Sequence, residues 1–479
     1  MSKQPAFYPP FEKRSFGLLL LVSVFGLLAS YADLSWGQEP LRGVPWEGQT
    51  SPSEPSSYLQ GRPTSAPWWG GLNEFEPTER GPLFIVGPFR GNLTAGLGLY
   101  YTDNVGLTNT GSQDQLRLFE NLILGVHWPI SGENVVNLNF GLGLSEVLAG
   151  SRSGDTLSLT LAPDSALGFN FFIGDFRIRL FDRFAVFQDP TTDSSSTGVV
   201  NLNRFRNNGG IAIDWNLNKV ILTLQVDDTY ITQNARTAGN LSKVQQELSG
   251  VNGDRNTVRA ALSASMQLNP SIFFGPQVTL TKSTVSTGRD IQSLAAGLFL
   301  RGQLTRLTSF SLEGGVNLVS QQGNHLPFVV QNQQKIPSVG YYLRAKANQR
   351  VTRFLELTPE VSHDLDYGDG INLIERTVGA VNGSFRLTKA TNLNFGARYE
   401  DGKVLTGVNQ GKYSLYQINA GLTRKLGPRI QGSFDYRFIQ RTSGNNNVVV
   451  LINGQPVALP ASTQNYTQNL FLLNVTYAF

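Results

Sequence analysis

Asn469-Leu-Phe-Leu-Leu-Asn-Val-Thr-Tyr-Ala-Phe479 closes the chain, and its alternation decides the fold. Phe471, Leu473, Val475, Tyr477 and Phe479 share one parity, and Leu472, Asn474, Thr476 and Ala478 share the other. Successive side chains of a strand point to opposite faces, so this segment reads as a strand with one wholly apolar face and one mostly small or polar face. The preceding segment repeats it, with Ile430, Gly432, Phe434, Tyr436 and Phe438 against Gln431, Ser433, Asp435 and Arg437. One such pair would suit a soluble sandwich equally well. Repetition decides: walking back to Phe89, period-2 segments of about ten residues recur without interruption, which is the mark of a membrane-spanning antiparallel up-and-down β-barrel. The segments number eighteen on this reading, with sixteen as the alternative.

The connections alternate as well. Short ones, such as Gly174-Asp175, Asn269-Pro270 and Gly427-Pro428, take turns with long polar ones over 232–256, 321–338 and 442–465. Barrels of this kind have short periplasmic turns and longer external loops. Trp128 and Trp215 stand beside short turns, while Tyr101, Tyr230, Tyr341, Tyr399, Tyr413 and Tyr466 stand beside long loops. Rings of this type favour the headgroup level, so two aromatic girdles are predicted. Glu120 breaks the pattern, because its parity sets it on the apolar face between Leu118 and Leu122; a bulge, or a position above the apolar band, would resolve it.

Composition agrees with a single large β-architecture. The chain has 479 residues, 50 Gly, 15% charged residues and no cysteine, which excludes a disulfide scaffold and a thiolate metal site. A formal charge of +4 on this length gives no ground for nucleic-acid binding. Residues 1–32 hold Lys3, Lys13 and Arg14, then an uncharged run from Phe16 to Ala29 and the small-residue end Ser30-Tyr31-Ala32. This is the layout of a signal peptide cleaved after Ala32, or after Gly37 as second choice. Residues 33–88 are rich in Pro, Gly and Ser and carry Trp36, Trp46, Trp68 and Trp69, and read as a flexible periplasmic arm ahead of the barrel at 89–479.

Two stretches resemble a known group. Asn474-Val-Thr-Tyr-Ala-Phe479 resembles the terminal signal of bacterial outer-membrane barrels, which implies that Tyr477 and Phe479 are read by the barrel-assembly machinery. Tyr101-Thr-Asp-Asn-Val105 is similar to the Tyr-x-Asp-Asn-Ile/Val opening of bacterial outer-membrane β-barrel porins, some of them associated with exopolysaccharide systems. The resemblance frames 89–479 and leaves the arm unmatched. It implies the outer membrane of a Gram-negative-type bacterium as location and its lipid as surroundings.

The chemistry lies on the parity opposite the apolar face. It carries Arg177, Arg179 and Arg183 on one strand, Arg344, Lys346 and Arg350 on another, and Glu356, Glu360 and Asp364 on the next. Asp435 and Arg437 follow later. Consecutive basic and acidic strands in a hairpin would let Arg344 and Lys346 pair with Glu356 and Glu360. Two readings stay open: a transverse field across a wet pore, or a polar lumen whose ion pairs hold the wall. The three histidines, His127, His325 and His363, show no metal-ligand spacing, and no cofactor is implied. Asp227-Asp228 and His363-Asp364 are the nearest approach to a protease pair, and strand-end carboxylates are far more often turn formers, so no enzyme is expected. The leading function is passive diffusion of small hydrophilic solutes through a barrel wide enough for an aqueous channel. The rivals are a barrel that guides or anchors an exported polysaccharide and a structural or adhesive surface barrel.

Overall fold

The computed structural model describes residues 83–105, 107, 112–131, 134–150, 157–189, 199–237, 253–286, 290–322, 329–330, 339–367, 373–405, 411–444, 448–452, 455–459 and 465–479. Its strands are β1 (Phe84–Val86), β2 (Phe89–Thr102), β3 (Gln115–Pro129), β4 (Val135–Gly150), β5 (Leu157–Ile173), β6 (Phe176–Asp189), β7 (Val199–Asn216) and β8 (Val220–Thr237). They continue with β9 (Gly253–Asn269), β10 (Ile272–Val285), β11 (Asp290–Thr305), β12 (Thr308–Gln322), β13 (Val329–Val330), β14 (Val339–Arg350) and β15 (Leu355–Tyr367). The last are β16 (Leu373–Arg386), β17 (Thr391–Val404), β18 (Gly411–Lys425), β19 (Ile430–Ser443), β20 (Val448–Ile452), β21 (Gln455–Leu459) and β22 (Tyr466–Ala478).

Eighteen of these, all but β1, β13, β20 and β21, pair antiparallel with their chain neighbours, and β22 returns to β2. The sheet is therefore a closed barrel of eighteen strands, not sixteen. Closure follows from the sequence, because every strand carries an apolar face that needs a common outside and a polar face that needs a common inside. The outer face leaves its large apolar side chains uncovered all the way round: Leu97 is 51% exposed, Leu262 55%, Leu298 52%, Val316 51%, Ile418 54% and Leu473 49%. A belt this continuous on a water-facing wall would drive association, so its environment is apolar.

Aromatic pairs stand at both ends of that face. At the short-turn end Phe89 meets Trp128 at 5.0 Å and Phe176 stacks on Trp215 at 5.5 Å between ring centroids. At the long-loop end Tyr101 lies against Phe471 at 6.2 Å, Tyr341 against His363 at 4.2 Å and Tyr399 against Tyr416 at 4.9 Å. Tyr413 and Tyr466 do not belong to this ring, contrary to the sequence reading: both are 2% exposed and point inward, in register with the interior parity. Glu120 stays on the outer face, paired in regular register with Leu97 and Leu144. The bulge on β4 falls opposite Leu116 and Arg117, too far along the strand to turn Glu120 around.

Three local features were not read from the sequence. Residues 84–86, within the segment assigned to the arm, form β1 and fold back on β2 through Gly87, whose φ of +59° glycine adopts without strain. β13, β20 and β21 make a separate three-stranded sheet from residues taken as loop. The third is a polar clasp at the barrel seam. β2 and β22 share nine paired positions, Thr94 to Thr102, against thirteen between β2 and β3. Above the last pair, Asp103 accepts the Asn469 backbone N–H at 2.7 Å and its Nδ2 at 2.6 Å. Asn104 Nδ2 donates to the Thr467 carbonyl at 2.9 Å, and Gln468 Nε2 donates to Thr102 Oγ1 at 3.2 Å and to the Asn104 carbonyl at 3.0 Å. The Tyr-x-Asp-Asn-Val stretch thus locks the first strand to the last. Residues 1–32 and most of 33–88 lie outside the described residues.

Candidate functional site

The interior wall holds the charged residues. Cα partners share a face, so one interior row runs Arg177, Asp214, Thr223, Ser263, Gln277 across β6 to β10. Arg179 pairs with Asp214 at 3.3 Å, and Asp227 pairs with Arg259 at 2.7 Å while accepting from Gln225 at 3.0 Å. Arg177 and Arg183 lie over the rings of Phe172 at 5.6 Å and Phe181 at 5.7 Å. The three arginines of β6 are thus spread over different contacts along the strand.

From β10 onward the wall carries a ladder of polar contacts. Gln277 on β10 donates to Glu313 Oε2 of β12 at 3.5 Å and to the Tyr342 hydroxyl of β14 at 3.1 Å. Arg344 of β14 bonds Glu313 at 2.5 Å and reaches Asp364 of β15 at 3.6 Å. Asp364 also accepts from Arg376 of β16 at 3.1 Å. On β17 Arg398 bonds Glu400, whose other oxygen accepts the Tyr413 hydroxyl of β18 at 2.5 Å. Glycines make room for the two tyrosines. A Cβ on Gly297 would lie 2.4 Å from the Tyr342 hydroxyl, and one on Gly402 would lie 2.4 Å from Tyr413 Cζ, so each ring lies flat along the wall over a missing side chain.

This geometry corrects the pairing read from the sequence. Lys346 and Arg350 do have Glu360 and Glu356 as Cα partners, but Arg344 faces Ser362 and takes Glu313 and Asp364 instead. A long guanidinium reaches diagonal acids on both flanking strands, which a lysine facing one acid does not. Basic and acidic groups therefore alternate strand by strand along this arc, and the charge separation of a transverse field is largely cancelled within the wall. Asp435 is 6% exposed and pairs in register with Leu472, and Arg437 pairs with Leu470.

Apolar side chains also face inward, which the alternation alone did not reveal. Tyr100, Phe119, Leu470 and Leu472 form one buried cluster beside the seam. Ile374, Val404, Tyr413, Leu415, Ile439 and Tyr466 form another at the long-loop end, joined by Leu107 of the β2–β3 connection. At the short-turn end of β14 to β16 and of β19 the interior residues Lys346, Arg350, Glu356, Ser384, Arg386 and Gln431 are exposed, whereas Asp214 and Ser265, near the short turns of β7 and β9, are buried. Along β14 to β19 the interior is thus more open at the short turns than towards the long loops, where the second cluster packs. Asp227 and Asp228 sit on opposite faces, as do His363 and Asp364, so neither adjacent pair converges on one site. His127 Nδ1 lies 2.8 Å from Asn137 Oδ1 on the interior, and His363 Nδ1 lies 2.9 Å from Thr377 Oγ1 on the outer face.

No protein-family model matches the sequence, and no curated protein does. Among solved structures the chain is similar to Acinetobacter baumannii OccAB2, at 11% identity and a TM-score of 0.43, with 81% of this chain and 98% of that one covered. It is similar in the same degree to the outer-membrane protein OpdK of Pseudomonas aeruginosa, at 11% identity, a TM-score of 0.43 and coverage of 81% and 99%. For Pseudomonas aeruginosa OprD the values are 12%, 0.41, 81% and 95%.

Proposed function

We propose that this barrel is an outer-membrane channel through which small hydrophilic solutes diffuse, with a preference for anions. The observation that carries the reading is a closed barrel whose apolar side chains face outward in a belt, interrupted at Glu120, while arginines, lysines and acids fill the interior. In a bilayer a closed sheet leaves no backbone group unpaired, and a polar interior that holds water is what remains for function. The sign of the preference comes from which charges are already engaged. Asp214, Asp227, Glu313, Asp364 and Glu400 are each bonded to an arginine. Among the described residues, Lys346, Arg350 and Arg386 make no side-chain hydrogen bond or ion pair, and all three are exposed towards the short turns. Glu356 and Glu360, the Cα partners of Arg350 and Lys346, offset part of this excess. Fixed positive charge between low-dielectric walls raises the local anion concentration.

The narrow long-loop end favours small solutes over a threaded polymer, since Tyr413, Ile439 and Tyr466 occupy the interior there. Recording from the purified barrel in planar bilayers tests the reading. Discrete conductance with anion preference in a salt gradient is expected, weakening as salt screens the wall. Changing Lys346 and Arg350 to Ser should move the reversal potential towards cations, and so should the triple change of Arg177, Arg179 and Arg183. Heat-modifiable barrels that never conduct would sink the channel and leave the polysaccharide-guiding or anchoring readings.

A further inference from the structure

The short-turn rim is lopsided in charge. Three consecutive turns, 350–354, 386–390 and 424–429, hold Arg350 and Arg353, Arg386 and Lys389, and Arg424, Lys425 and Arg429, with no acid among them. All seven cations are exposed. Among the described residues Arg350, Arg386, Lys389 and Arg424 make no side-chain hydrogen bond or ion pair, Arg353 lies over its neighbour Phe354 at 4.5 Å, and Arg429 donates to the Tyr477 hydroxyl at 3.5 Å. The acid next along the wall is Glu356, which faces Arg350. On the other side of the seam the turns at 129–134 and 174–175 hold Glu133 and Asp175 and no cation.

The chain enters the barrel between these two sectors. Leu83 leads into β1, which pairs with the first residues of β2; beside it Phe479 N–H bonds the Leu93 carbonyl at 3.0 Å and Ala478 N–H bonds the Arg429 carbonyl at 2.9 Å. The sequence just ahead reads Leu72-Asn-Glu74-Phe-Glu76-Pro-Thr-Glu79-Arg80. Glu79, Glu76 and Glu74 stand four, seven and nine residues before Leu83, or about 13, 23 and 30 Å of extended chain. Short turns two strands apart on the rim are separated by about 10–12 Å, so the three acids reach the β18–β19, β16–β17 and β14–β15 turns in succession. In the opposite direction the same reach meets Glu133 and Asp175, which repel. Inner-leaflet headgroups are the rival occupant. They can approach Lys389 or Arg424, but Arg350, Arg386 and Lys425 are in register with the interior residues Glu356, Asn392 and Gln431 and face away from lipid.

We propose that Glu74, Glu76 and Glu79 dock along the basic crescent of the β14–β19 short turns, so that this chain's own acidic segment occupies that surface. Each exposed pair is weak alone, and tethering at Leu83 supplies the effective concentration that holds them together. On the channel reading, the docked acids also offset Arg350 and Arg386 at the mouth. The cysteine-free chain makes the test direct. Thr78→Cys is combined with Ala390→Cys on the β16–β17 turn, or with Ser131→Cys on the β3–β4 turn, which lies nearer the start of β2, and oxidised in outer-membrane fractions. Tethering alone favours Ser131, whereas docking should make the Ala390 yield about tenfold the greater. Changing Glu74, Glu76 and Glu79 to Gln should abolish that preference, and so should salt at about 1 M. Equal yields, or a preference that survives the triple change, would overturn the proposal. So would a preference present in phosphatidylcholine vesicles and lost in phosphatidylglycerol, which would give the rim to headgroups. In planar bilayers the triple change should raise anion preference; a barrel that never conducts would sink the channel reading without touching the crosslink.

Discussion

Asp103→Ala removes the charged acceptor of the seam clasp. Asp103 takes two donors from Asn469, at 2.7 and 2.6 Å, on a half-buried rim. A hydrogen bond to a charged group contributes about 1.5–3 kcal/mol when buried, and partial solvation together with water replacing the lost carboxylate reduces the loss for the pair to about 2 kcal/mol. The effect should be legible because this seam has nine paired positions where β2 and β3 have thirteen. Urea unfolding of the refolded barrel, followed by heat-modifiability and tryptophan fluorescence, gives the midpoint. A double-mutant cycle with Asn469→Ala isolates the Nδ2 bond, because the alanine keeps the backbone N–H, and should return a coupling of about 1 kcal/mol. Tyr436, which donates to Asn469 Oδ1 at 2.8 Å, stays in the Asp103→Ala barrel and serves as an internal reference. An unchanged midpoint, or single losses that simply add, would refute the assignment of this motif to closure.

Two further outcomes follow from the interior and the terminus. Arg344→Ala leaves Glu313 short of its cation and removes one of the two that Asp364 holds, so the unfolding free energy should fall by about 3 kcal/mol, with Arg344→Lys recovering only part of it. Deleting Phe479 removes an N–H that bonds the Leu93 carbonyl at 3.0 Å and the ring packed edge-on against Tyr477 at 4.9 Å. Assembled barrel in outer-membrane fractions should drop, and an unaltered yield would show that the terminal ring is not read.

Much of the barrel was legible because period 2 carries face assignment directly. Arg177, Arg344, Glu356 and Asp435 could be set on the interior from parity alone. Which charge meets which was not, because parity says nothing of the diagonal reach that takes Arg344 to Glu313 and Asp364. Tyr413 and Tyr466 were misread for a different reason: they were placed by residue type and loop proximity, while their parity with Leu415 and Gln468 already set them inside. The small external sheet had a signal in Val448-Val-Val-Leu-Ile452 followed by Asn453-Gly454, a β-branched run before a hairpin dipeptide. It was masked by the surrounding polar residues.

The seam joins Asp103 to Asn469 across 366 positions of chain. Contacts that distant gain nothing from local chain connectivity, so closing this wall costs more chain entropy than pairing any two consecutive strands. A chain stopped before Tyr466 would have seventeen strands and two raw edges, each exposing a row of backbone donors and acceptors that hydrocarbon cannot satisfy. Partial products therefore have no partial stability to fall back on. Shortening from the C-terminal side should act as a switch, with whole barrels on one side of it and fodder for proteases on the other.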